Sequence, residues 1–120
     1  FRNLHNWLGQ DAMKAVMQEA YNSLKEGGHF GVVEHRAPKG SDIEFMKKSG
    51  YVTQSLAIQT AQEVGFKLVA SSEINANPKD TADHPRGVWT LPPSFRLKDQ
   101  DRKKYAAIGE SDRMTLLFKK

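Results

Sequence analysis

A chain of 120 residues with 38% hydrophobic residues supports one compact domain and a single core, not two. It contains no Cys, which excludes disulfide frameworks, thiolate metal sites and cysteine nucleophiles. Its formal charge of +4 comes from 18 basic and 14 acidic residues, but Lys47-Lys48, Arg102-Lys103-Lys104 and Lys119-Lys120 each lie near acids, and no basic stripe interleaved with aromatics suggests nucleic-acid binding.

In chain order, Met13, Val16, Met17, Ala20 and Leu24 fall at helical spacing and predict an amphipathic helix over 11–26, capped by Asp11 and ended by Gly27. His29 to Arg36 is apolar on consecutive central positions and reads as a strand covered on both faces. A loop follows at 37–42, with Pro38 and Gly40. A second helix is expected from Tyr51 or Val52 to Glu63, burying Leu56, Ala57, Thr60, Ala61 and Val64, with Gly65 at its end. Phe66 to Ile74 and Met114 to Lys119 read as further strands. Between them the excursion 75–112 is far longer than an ordinary connection, and is either a functional flap or a structured arm, with a short helix expected over 99–108. Apolar runs such as Leu116-Leu117-Phe118 are too short for a spanning helix or a signal-peptide core, so a soluble chain is expected. The sequence opens on Phe1 rather than Met, so compartment stays open: cytoplasmic, or exported in bacteria if a signal peptide precedes.

Particular words carry a family resemblance. Phe1-Arg2-Asn3-Leu4-His5-Asn6-Trp7, Leu24-Lys25-Glu26-Gly27-Gly28 with Gly31-Val32-Val33-Glu34-His35-Arg36, and Ser49-Gly50-Tyr51-Val52 are three of them. Glu73-Ile74-Asn75-Ala76-Asn77-Pro78-Lys79-Asp80-Thr81, Gly87-Val88-Trp89-Thr90-Leu91-Pro92-Pro93 and Tyr105 through Met114 are others. Together they resemble the C-terminal half of a class I S-adenosylmethionine-dependent methyltransferase, close to one predicted bacterial group. The resemblance implies a Rossmann-like α/β fold in which residues 29–36, 66–74 and 114–119 are strands five, six and an antiparallel seven inserted between them. Residues 1–7 would leave strand four. Residues 1–120 would then be a single partial domain, lacking the N-terminal half whose glycine-rich loop and acidic residue hold S-adenosylmethionine. Gly27 and Gly28 do not replace that loop, because they precede a strand whereas a nucleotide loop follows one.

Methyl transfer asks the protein to align donor and acceptor and to remove a proton. The resemblance places Asn3, His5, Asn6 and Trp7 at the edge of the transfer site. His5 is the candidate base, Asn3 a candidate cofactor contact, and Asn6, Trp7, His35 and Tyr51 candidate substrate contacts. The bland alternative is that Asn3 and Asn6 cap a helix while Trp7 packs. Glu34 and His35 are adjacent on a strand, so their side chains are expected on opposite faces, with at most one in the site. Tyr51 serves equally as a packing residue. His84, Arg86 and Trp89 belong to the excursion, which either closes over a substrate or covers the sheet edge. The four His, His5, His29, His35 and His84, show no close zinc-type spacing, so no metal is expected. Partners implied are a small-molecule or polymer methyl acceptor, with no strong nucleic-acid signal and no membrane. The rival reading is a noncatalytic α/β module for binding or oligomerisation, self-associating through an unpaired strand edge.

Overall fold

A computed structural model describes residues 3–120; Phe1 and Arg2, part of the segment assigned to the exit of strand four, lie outside the described residues. The elements are α1 (Leu4–Gly9), α2 (Met13–Ser23), β1 (His29–Ala37), α3 (Ile43–Ser49), β2 (Val52–Thr53), α4 (Gln54–Glu63) and β3 (Lys67–Ser72). A 3-10 turn (Gly87–Thr90), α5 (Arg102–Ile108) and β4 (Arg113–Lys119) complete them. The chain is thus α/β, with a mixed open sheet in the order β2-β1-β4-β3. The last strand lies antiparallel between β1 and β3, while β2 runs parallel to β1 at its carboxyl end.

Register explains the core. Phe30 pairs with Phe118, Val32 with Leu116 and Glu34 with Met114, so these six share one face, and all six are buried. Met13 and Met17 of α2, Ala57 and Ala61 of α4, and Leu4 and Leu8 of α1 close over that face. The opposite face carries Gly31, Val33, Thr115 and Leu117, all exposed or half-buried. This corrects the expectation of a strand covered on both sides. The consecutive apolar run in β1 is one buried row plus Val33, because the helices whose buried side chains join the core pack on the Phe30 row alone. β3 is an edge strand with every residue exposed, shorter than the expected 66–74, and its pairing with β4 is interrupted by a register shift between Leu68 and Ala70.

Several boundaries differ for local reasons. The first long helix starts after Asp11, which takes φ 56° and gives its carboxylate to Lys47 at 2.7 Å instead of capping. It stops at Ser23, and Gly27 at φ 80° serves the turn into β1. Residues 4–9, within the stretch assigned to the segment leaving strand four, form the helix α1. The helix α3 was not foreseen. Its caps are legible in retrospect: Asp42 accepts the Phe45 N–H at 2.8 Å, and Gly50 closes the helix at φ 78°. Seven residues, however, are too few for a 3.6 period to show. Tyr51 and Val52 do not begin a helix; Val52 and Thr53 pair with Arg36 and Ala37, and Thr53 then caps α4 through the Leu56 N–H.

The excursion is a structured arm. Asn75 donates to the Thr115 hydroxyl at 2.8 Å, and the Asn77 side chain donates to the Ile108 and Glu110 carbonyls, each at 2.7 Å. Arg36 grips Asp112 with two bonds at 3.0 and 2.9 Å and also meets Glu73 and Gln54, which raises the guanidinium pKa through its Asp112 bonds. The 3-10 turn sits against the end of α3 so closely that a Cβ on Gly87, at φ 61°, would lie 2.3 Å from the Ser49 carbonyl oxygen. Gly87→Ala is therefore expected to lower unfolding free energy by about 2 kcal/mol or more. Gly31→Ala, with nothing within 4 Å of the added carbon, should be neutral or mildly stabilising. Urea denaturation of both variants checks this, and equal losses would contradict the close-approach account.

Candidate functional site

The carboxyl end of β1 is where α1, the arm and the end of α3 converge. There the Glu34 carboxylate, with none of its side chain exposed, accepts three hydrogen bonds. The His5 backbone N–H donates at 3.1 Å, the His35 backbone N–H at 2.9 Å, and His5 Nδ1 lies 2.8 Å from the other His5 partner, Glu34 Oε1. A carboxylate only accepts, so a proton is assigned to His5 Nδ1, and in the neutral ring Nε2 then keeps its lone pair. Glu34 thereby fixes both the tautomer and the orientation of His5, whose side chain remains 12% exposed.

Around His5 the rings of His35 and Trp89 stand 5.2 Å and 6.3 Å away between centroids. His35 Nδ1 is bonded to the Ser111 hydroxyl, and the His35 ring faces the edge of Tyr51. Glu34 is buried on the core side and His35 bonds Ser111, yet both reach this cluster, against the expectation that at most one of them would. His5, lying over the strand's end, meets both. The donor atoms of His5, Glu34 and His35 all lie within 4.8 Å of one another. Among the described residues these three form the group whose donor types could hold a divalent cation, a grouping that sequence spacing could not reveal because β1 and α1 are brought together only by folding. As they stand, two of the donors already serve each other in the His5–Glu34 bond.

Of the other residues singled out from sequence, Asn3 is the N-terminal flanking residue of α1 without a side-chain capping bond, and it is exposed, as is Asn6. Neither lies in a hydrogen bond with the His5–Glu34 pair; their amides meet each other at 3.5 Å. Trp7 is half-buried against the core. Tyr51 is fully buried, and its hydroxyl donates to Asp80 at 2.8 and 3.0 Å. The Tyr51 hydroxyl is therefore committed to holding the arm. His84 Nε2 also meets Asp80, at 2.8 Å. Sequence reasoning gave Asp80 no role, although it accepts from Tyr51, the Ala82 and Asp112 backbone N–H groups and His84. A carboxylate inside an asparagine-rich loop was the available signal.

Trp89 owes its seat to Gly50. A Cβ there would fall 2.9 Å from the indole and 2.8 Å from Val88. The indole also borders a cavity of about 790 Å³ between α3 and the arm. No protein-family model matches the chain, and no curated protein or solved structure matches it.

Two outcomes test this geometry. Glu34→Gln presents an amide NH₂ to donors that need an acceptor, and should cost about 1–3 kcal/mol of stability in chemical denaturation. Burial, followed by the Asp80 carboxylate, pushes the Tyr51 pKa far above its ordinary 10.0. The folded chain keeps that proton at pH values where the unfolded chain releases it, so stability is retained below about pH 10 and falls above it, by up to about 1.4 kcal/mol per pH unit. Tyr51→Phe should flatten the decline measured between about pH 9 and 11. An unchanged slope would mean that Tyr51 ionises freely in the folded chain.

Proposed function

We propose that residues 1–120 form the acceptor-side part of a class I S-adenosylmethionine-dependent methyltransferase, in which His5, held by Glu34, takes the proton from the methyl acceptor. The observation that carries the reading is the His5–Glu34 pair at the carboxyl end of β1, the end of the strands where open α/β sheets receive their ligands. The resemblance of the sequence words and the antiparallel last strand between β1 and β3 support it.

The described residues do not make a cofactor site by themselves. The loop after β1 offers a single Gly40, and Gly27 and Gly28 turn the chain into β1 rather than out of it. S-adenosylmethionine, when bound, supplies an electrophilic methyl carbon, and this reading assigns its contacts to strands preceding Phe1. What this chain contributes is proton handling. As the acceptor's O–H or N–H becomes a nucleophile, its proton passes to His5 Nε2, and the buried carboxylate on Nδ1 stabilises the imidazolium that results. Trp89 and His35 flank the ring and limit its rotation.

The noncatalytic module is favoured by one observation, the exposure of Leu68, Val69 and Leu117 on the sheet. The readings separate on His5. In a chain extended upstream through the cofactor-binding strands, S-adenosylmethionine binding should appear, and His5→Ala should lower single-turnover methyl transfer by about 10²- to 10⁴-fold with little change in cofactor affinity. The 120 residues alone should bind the cofactor no tighter than about 100 μM. A normal rate with a lowered thermal midpoint would make His5 a packing residue, and an extended chain that does not bind the cofactor would remove the methyltransferase reading.

A further inference from the structure

The cavity beside Trp89 has no part in the proton transfer just described. Three cations surround it: Lys48 at the end of α3, Arg86 at the start of the 3-10 turn, and Arg96 beyond it. All three are exposed. None of them forms an ion pair or side-chain hydrogen bond with the described residues, whereas Arg36, Lys14, Lys47 and Arg113 all have carboxylate partners. The acid on the cavity wall, Asp83, is bonded to the Thr81 hydroxyl, and His84 is turned onto Asp80. The Thr81 bond leaves Asp83 charged, but three cations against that one carboxylate leave the concavity net positive, which favours an anion among Lys48, Arg86 and Arg96. The cavity's remaining walls include two aromatic rings, Phe45 and Trp89, and its size is that of a small-molecule site.

We propose that this cavity binds a small aromatic anion, a ring bearing a carboxylate or phosphate, with the ring against Trp89 and Phe45 and the anionic group among Lys48, Arg86 and Arg96. Trp89 belongs both to the cavity wall and to the surroundings of His5. On the reading that His5 removes the acceptor's proton, the aromatic anion is the methyl acceptor. The binding claim itself does not depend on that reading.

The probe is 4-hydroxybenzoate, titrated into the 120-residue chain and followed by indole fluorescence and calorimetry, with neutral 4-hydroxybenzyl alcohol and acetate in parallel. The expected result is saturable binding near or below about 1 mM. The neutral ring and the ringless anion should each bind about tenfold more weakly. Affinity should fall with added salt. The exposed substitutions Arg86→Ala and Arg96→Ala, combined, should weaken binding about tenfold without shifting the thermal midpoint, while the remote control Lys67→Ala should not. No saturation by about 10 mM, equal affinity for the neutral ring, or indifference to the arginine substitutions would each overturn the proposal. None of these outcomes touches the His5 assignment, which stands or falls on single-turnover transfer.

Discussion

The arrangement at the end of the sheet depends on one buried carboxylate. Asp80 has none of its side chain exposed, and an unpaired charge there would cost several kcal/mol. Its four partners come from three places along the chain: the Tyr51 hydroxyl before β2, the Ala82 N–H and His84 near the start of the arm, and the Asp112 N–H just before β4. One group thus ties the start of the arm, its return and the β2 segment together. Asp112, placed by that bond, takes Arg36 from the carboxyl end of β1. The arm can then lay the 3-10 turn on α3, which seats Trp89 beside His5.

A second buried carboxylate holds an imidazole rather than the arm. Glu34 occupies the position in β1 where the core row of Phe30 and Val32 reaches the sheet's end. There it replaces an apolar side chain with an acceptor for three donors. The local conflict of an acid in a hydrophobic row is resolved only because α1 brings His5 over it. Departures from the hydrophobic pattern of this kind are expected where a site is built. The two carboxylates therefore divide the work: Asp80 fixes the wall, and Glu34 fixes the imidazole facing it.

How much of this was legible in the sequence follows from the range of the interactions. The helix over Gln54–Glu63 and the strands at His29–Ala37 and Arg113–Lys119 rest on local periodicity and on glycine turns, and they emerged near their observed bounds. α1 and α3, six and seven residues long, are set by caps and by packing against each other, which no window of periodicity contains. His5 was singled out by its place in a motif, but its partner Glu34 is 29 residues away, and strand alternation alone made Glu34 and His35 look separate. The same distance hid Asp80. The Asn75 and Asn77 amides stood out as a pattern, yet what they bind are carbonyls and a hydroxyl more than 30 residues on.

Asp80 holds the arm as a fixed wall, and amide hydrogen exchange on Asp80→Asn tests this. The arm's Gly87, Leu91 and Arg96 amides, whose backbone bonds lie within the arm, are expected to lose most of their protection. The β1–β4 ladder should keep its own, because local opening and global unfolding separate when a tie outside the core is cut. Unchanged protection in the arm, or an equal loss along β1 and β4, would contradict the account: the first would mean that the arm holds itself, the second that Asp80 is simply part of the core.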